Sequence, residues 1–495
     1  MWGYEGRKRQ LEGGATDGLH RRLSNRQVQL VAIGGSIGTA VFVSRGGALQ
    51  RSGPGSLHLA FMSVYMPISG GFVRLARKWP FEIVALTLVV SYWNDRIPVY
   101  AICVGCIILY GFINVFAVGV YGEAEFYLSS GKVILLAMLL AFTLITMAGG
   151  NPQHDAYGLR DWYAGYFAEY ISTGPLGKSE GFLSALWTAS FTCVGPEYVS
   201  MMAAEAKHPR IYSTGVSESF FVGGALTAGI VDPTLVAIYT GKGGSTGSAA
   251  AWPYIIAMGN LGISILPHVV TFFLATTVFS AGSAYTYCSI RTLYGLVLEG
   301  RAPRFLTKTS KKGAPIYCLA VVMIFPLFSL LQLLSLVLDW LISLTTAATV
   351  IDYIVICVTY ICFHRACKSQ NFDRSRLPYI GRFQPYSAYI GLVWMKCVVI
   401  CYGYRPSDPA SIFIHYTMVP LASLLFCSWN TKTLGPDGVD LVWDAPRITA
   451  YEELLSEVDP PVGFLQDIAT HFSTSPSFDS KSGTSLAPTQ PSIIF

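Results

Sequence analysis

Charge is what this sequence has least of. Only 13% of its 495 residues are Asp, Glu, Lys or Arg, about half the roughly 25% of a soluble globular chain. That supply does not cover a wet surface of this extent, and single soluble cores stop growing near about 250–300 residues. A soluble enzyme and a nucleic-acid-binding protein are poor readings on this ground. Asn-x-Ser/Thr sequons are missing, so N-glycosylation is not expected. The cysteines supply no secreted disulfide framework. Cys103, Cys106, Cys193, Cys288, Cys357 and Cys397 sit inside apolar blocks, where thiols act as small hydrophobes. Cys103-x-x-Cys106 lacks the second pair or nearby histidine of a metal or redox site.

What the chain has instead is apolar residues, 52% of the total, gathered into long blocks. A helix needs about 20 of them to cross a bilayer. Blocks at or near that length are 28–49, 99–120, 132–149, 181–204, 263–289, 315–338, 340–363, 385–404 and 410–428. Three more, 57–66, 81–93 and 216–231, are short. The fold expected is all-α and polytopic, nominally twelve transmembrane helices with three of them short. The polar, basic start (Arg7, Lys8, Arg9, Arg21, Arg22, Arg26) reads as a cytoplasmic N-terminus, 1–27, ahead of a retained first span.

Lysine and arginine set the expected orientation. With the N-terminus inside and all blocks crossing, the inside connections collect Arg74, Arg77 and Lys78; Lys207 and Arg210; Arg291 to Lys312; and Arg365 to Arg382. If 216–231 failed to cross, the basic residues between 291 and 382 would move outside, so it is read as a span. The segment 150–180 becomes an extracellular loop, and 429–495 a cytoplasmic tail, acidic and then Ser/Thr/Pro-rich, expected to be disordered.

Two blocks are interrupted. Gly34-Gly35-Ser36-Ile37-Gly38-Thr39 puts three glycines in five residues of the first span, each costing a helix about 1 kcal/mol relative to alanine. Close helix packing through small residues is the alternative reading. In the sixth span, Cys193-Val194-Gly195-Pro196-Glu197 contains a proline whose ring clashes with the carbonyl of Thr192. Freed backbone is tolerated at that depth only inside protein or along a cavity. The breaks occupy matching positions of two five-helix halves, 28–149 and 181–364, followed by two last helices over 385–428. Paired breaks point to a leucine-transporter-like 5+5 inverted repeat with broken first and sixth helices. N–H groups near Thr39 would face an anionic group, and carbonyls of 192–195 an ammonium. Such a pocket suits a zwitterion such as an α-amino acid.

Ionisable residues inside apolar blocks are functional candidates by default: Glu82, Lys132, Glu197, Glu205, Asp339, Asp352 and Lys396. Glu197 follows the proline break directly. Lys132 starts its block and has snorkelling to the interface as its alternative. Asp339 reads as interfacial. Asp352 either favours cationic substrates or is a structural acid. Lys396 has no evident partner.

At these residues the chain resembles the fungal amino acid permeases of the amino acid–polyamine–organocation superfamily, from about Leu23 to Asp440. The resemblance is carried by Arg26 to Thr39; Pro67-Ile68-Ser69-Gly70; Gly122-Glu123-Ala124-Glu125-Phe126; Gly195-Pro196-Glu197-Tyr198; Glu205-Ala206-Lys207-His208-Pro209-Arg210; Phe279-Ser280-Ala281-Gly282; and Leu293-Tyr294-Gly295-Leu296. It implies proton-coupled uptake of amino acids across the plasma membrane, with the proton as coupling ion and no other cofactor. By motif, the glycines of 34–38 hold the substrate carboxylate and Glu197 acts in substrate binding or proton coupling. Glu205 matches an acid of a Gly-Glu-Ala motif, with Ala204 here in place of the glycine. Lys132 matches a fifth-span lysine standing where sodium-coupled relatives hold an ion. Ser280 and Asp352 are candidates for selectivity. Relative to the family, the chain is shortened between Tyr65 and Pro67, between Trp79 and Phe81, and between Tyr212 and Phe220, which affects the second, third and seventh spans. The alternatives are a nutrient-sensing receptor on the same scaffold and an inactive truncated permease. A membrane-embedded enzyme is not supported, since His268 has no ligand spacing around it.

Overall fold

The computed structural model describes residues 82–94, 96–116, 118–156, 169–192, 253–298, 302–310, 313–327, 335–374, 384–401, 416–428 and 464–474, with isolated positions between 23 and 30, at 158, 167, 300 and 329, and between 438 and 455. The regular elements among them are helices. They are α1 (82–90), α2 (Val99–Phe116), α3 (Val118–Met147), α4 (Gly174–Thr192), α5 (Pro253–Asn260), α6 (Leu266–Leu298), α7 (Ile316–Val322), α8 (Ser335–Ser369), α9 (Tyr386–Cys401), α10 (Met418–Ser428) and α11 (Phe464–Thr474).

Stretches within three of these, Tyr121–Met147, Leu266–Leu298 and Val350–Ser369, are long and apolar enough to cross a membrane. Their polar groups are arranged for a place without water. Hydroxyls bond to their own helix one turn back: Thr143 to the Leu139 carbonyl at 2.7 Å, Thr146 to Phe142 at 2.8 Å and Thr271 to Pro267 at 2.7 Å. Large apolar side chains point outward where a soluble helix would carry charge. On α2, Ile108 and Phe112 are exposed while Cys106 and Tyr110 are buried.

Helix ends follow local chemistry. α6 opens on Leu266-Pro267 and α4 on Gly174-Pro175, where the missing proline N–H costs nothing. α3 closes through Gly149 at φ 91°, and Gly150 N–H bonds back to the Ile145 carbonyl at 2.9 Å, the closure that favours glycine in the left-handed region.

Boundaries differ from the apolar blocks in an informative way. The block at 132–149 belongs to a helix beginning at Val118, so Lys132 lies in mid-helix rather than at its start. The block at 315–338 is not one rod: α7 stops at Val322, and a turn and short 3-10 stretch follow around Pro326, which donates no N–H and clashes one turn back. The expectation of disorder across the tail fails at Phe464–Thr474, where α11 docks on the bundle with Ile468 against its core.

The core forms around α6, which packs against α2, α3, α5 and α7, while α8 packs against α4, α9 and α10. From Ser280 to Arg291 every α6 residue is buried, as expected of a helix surrounded by others. Gly282 permits one close approach: a Cβ there would sit 2.8 Å from Cζ of Tyr110. The Tyr110 ring stacks on Phe279, centroids 4.9 Å apart.

One end of α3 gathers distant segments. A Cβ at Gly122 would lie 2.9 Å from Leu23 and 3.0 Å from Gln27, so its absence lets the segment ahead of the first apolar block lie against α3. There Arg26 and Gln27 each donate to Glu123 Oε1 at 2.7 Å. The Arg26 backbone N–H donates to Asp467 of α11 at 2.9 Å, and its guanidinium lies 4.9 Å above Phe126. His471 of α11 completes the contact, 4.0 Å from Glu123 and edge-on to Phe126.

Candidate functional site

A polar seam runs through the apolar interface of α3 and α6. On α3, Glu125, Ser129 and Lys132 follow at intervals of four and three residues, which places them on one helix face. All three are buried, Lys132 with 0% exposure. Ser129 donates to Glu125 Oε1 at 3.0 Å, and Ser280 of α6 donates to the same oxygen. A helical lysine leans toward the helix N-terminus, so Lys132 inclines toward the Ser129–Glu125 side.

Glu82 of α1 is also fully buried. Lys132 interacts electrostatically with both Glu125 and Glu82, and the same carboxylates act on the Tyr110 phenol. Two acids and one base thus share an interior without bulk water, a costly arrangement kept where charges compensate one another or do work. From α6, Thr277, Ser283 and Thr286 add buried hydroxyls along the seam.

Beyond Glu125, toward the α3 start, the contact becomes aromatic. Tyr121 and Tyr287 stack with centroids 3.8 Å apart and planes 2° from parallel. Arg291 lies 3.9 Å over the Tyr287 ring, a cation on a π-face.

Of the candidates expected from sequence, the structure brings Lys132 and Ser280 to this seam. Lys132 is wholly enclosed, so the snorkelling alternative does not hold. Asp352 lies half-buried on α8. Thr192 is the last residue of α4. Gly34, Gly35, Ser36, Ile37, Gly38, Thr39, Cys193, Val194, Gly195, Glu197 and Glu205 lie outside the described residues, as do the three stretches where the chain is expected to be shortened. Lys396 is exposed on α9 beside Val393 and Ile400.

Glu125 is the functional candidate that the sequence reading passed over. It lies ahead of the apolar block starting at 132 and was visible only as part of a motif. The available signal was the 125, 129, 132 spacing, legible once the helix is extended toward its N-terminus.

Apolar outward faces, hydroxyls turned back on their own helices and a buried acid–base cluster define a polytopic α-helical membrane protein of the transporter class. Residues 75–433 match the Amino acid permease family, and the chain belongs to that family. It is 42% identical to the general amino acid permease AGP2 of Saccharomyces cerevisiae, over 79% of this chain and 74% of that protein. It is 30% identical to the proline-specific permease of Emericella nidulans (83% and 84% covered) and to the dicarboxylic amino acid permease of Saccharomyces cerevisiae (77% and 71%). Among solved structures, a manganese transporter of Eremococcus coleocola aligns with a TM-score of 0.41 at 11% identity, over 89% of this chain and 90% of that one, a likeness too distant to carry an argument. The family consists of permeases rather than enzymes.

Proposed function

We propose that this chain carries amino acids across the plasma membrane by alternating access and couples their uptake to protons. The single observation that supports coupling is the burial of Lys132 under the influence of two buried carboxylates. With Lys132 protonated and Glu82 and Glu125 both ionised, these three groups carry one net negative charge. One added proton makes them neutral. Uncompensated charge at this depth is expensive, so the seam has a physical reason to take up a proton in one state and release it in another. No cofactor beyond that proton enters the scheme.

The substrate site belongs, in this reading, to the paired helix breaks of a 5+5 inverted repeat. Gly34, Gly35, Ser36, Ile37, Gly38 and Thr39 receive the carboxylate, Thr192, Cys193, Val194 and Gly195 the ammonium, and Glu197 and Glu205 join Lys132 in coupling. Asp352 is the candidate for selecting cationic substrates. Cytoplasmic placement of both termini is supported by the meeting of Arg26, Glu123 and Asp467 at one end of α3, together with the basic connections.

Reconstitution of the purified chain in proteoliposomes tests this. Radiolabelled amino acids are expected to accumulate when the outside is acid and to stop accumulating when a protonophore collapses the gradient. Uptake indifferent to the gradient overturns coupling, and absence of uptake for every amino acid overturns transport.

A further inference from the structure

The end of α8 carries a cavity of about 540 Å³ lined by His364, Cys367, Lys368, Asn371, Phe372 and Arg374. His364 and Lys368 are one turn apart on one helix face. Arg374 reaches the cavity because the chain reverses sharply after α8. Asn371 takes φ 49°, and Phe372 N–H bonds back to the Cys367 carbonyl at 2.9 Å, the six-to-one closure of a capped helix end.

That closure bears on what the cations are for. A lysine and an arginine after a helix C-terminus ordinarily answer its free carbonyls and negative dipole end. Here the Ala366 and Cys367 carbonyls are already taken by Gln370 and Phe372 N–H groups, each at 2.9 Å. Arg374 is fixed by neutral partners, donating to the Tyr360 hydroxyl at 3.2 Å and to Gln384 Oε1 at 3.0 Å. Its Nε is buried and makes no hydrogen bond. Among the described residues no carboxylate is seen within ion-pair distance of Lys368 or Arg374, and both cations bear on His364. The result is a cavity lined by an imidazole and two positive charges, Lys368 on an exposed side chain and Arg374 held by neutral partners.

We propose that this cavity binds the phosphate of an anionic phospholipid headgroup, specifically a phosphomonoester on an inositol-type lipid. A phosphomonoester carries nearly two negative charges and three acceptor oxygens, which matches Lys368 and Arg374 in charge. The volume admits a sugar-sized headgroup, and basic pockets between the ends of membrane helices are where such headgroups dock. The leaflet follows from the orientation proposed above, which puts this end of α8 in the cytoplasm. The binding chemistry does not depend on that orientation.

The test uses the full chain in detergent and reads thermal stability and binding with water-soluble dioctanoyl phosphatidylinositol 4-phosphate as probe. Dioctanoyl phosphatidylcholine and inorganic phosphate are the comparison arms. Wild type is expected to gain Tm with the phosphoinositide and not with phosphatidylcholine. Lys368→Gln, a change at an exposed side chain with no hydrogen-bond or ion-pair partner among the described residues, is expected to weaken phosphoinositide binding about fivefold, and Lys368→Gln with Arg374→Gln to abolish it. Arg365→Gln removes a cation from the same helix end but outside the cavity and is expected to leave binding unchanged. Three results overturn the proposal: no shift with the phosphoinositide, an equal shift with inorganic phosphate (a free-anion site), or an equal loss in Arg365→Gln (unspecific attraction).

Discussion

The guanidinium of Arg26 lies 2.7 Å from the Glu123 carboxylate, joining residues 97 positions apart in sequence. Through the same arginine, Asp467 ties α11 to the start of α3. Arg26 is buried while Glu123 is 40% exposed at its side chain, so the ion pair itself contributes at most about 1 kcal/mol. Docking of α11 rests on the whole group of contacts. Asp467→Ala is expected to release α11 and make the chain beyond about residue 460 more sensitive to limited proteolysis, with the bundle intact. Unchanged cleavage in the variant would show that α11 is held without the Asp467 contact.

Glu125→Gln removes one charge from the buried seam while keeping an oxygen to accept from Ser129 and Ser280. Uptake is expected to lose its dependence on an inward proton gradient, with substrate exchange across the membrane retained. Lys132→Ala is more severe, because it leaves two buried carboxylates without their cation, a class of change costing about 3–5 kcal/mol. Its expected signature is poor folding on fluorescence-detected gel filtration. A Glu125→Gln protein whose uptake still follows pH as wild type does would remove Glu125 from the coupling scheme.

Ser280→Ala separates two roles. The hydroxyl donates to Glu125, so its loss should destabilise by about 1–3 kcal/mol through an under-satisfied buried acceptor and leave the ranking of amino acid substrates unchanged. Competition assays against one labelled substrate decide it. A reordered ranking would restore Ser280 as a selectivity residue.

Gly282→Ala is expected to cost about 1–3 kcal/mol, the usual range for overpacking, because the new methyl meets the Tyr110 ring. In a double-mutant cycle, Tyr110→Phe removes the ring's outermost atom and should partly relieve that cost. Additive melting temperatures would mean that the backbone yields instead.

The class of fold was legible in the sequence because twenty-residue apolar blocks have few physical alternatives. The helix limits were less so. Hydropathy reports where apolar residues cluster, whereas α3 starts fourteen residues before its apolar block, held there by Gly122, Glu123 and Phe126 against other segments. Glu125 stayed hidden for that reason. Lys132 was found because a lysine stands out in an apolar block, but its full enclosure depends on α1 and α6, which no local pattern records. α11 was missed because composition was weighed over the tail as a whole. Leu465, Ile468 and Phe472 repeat at helical spacing there, and that periodicity was the better guide.

Tyr121 and Tyr287 lie flat on one another at 3.8 Å, with Ser280 on Glu125 further along the same seam. A slide of even half a helical turn between α3 and α6 would part both contacts together. The two helices therefore travel as a single plank, and whatever opens and shuts the passage must pivot against that plank rather than through it.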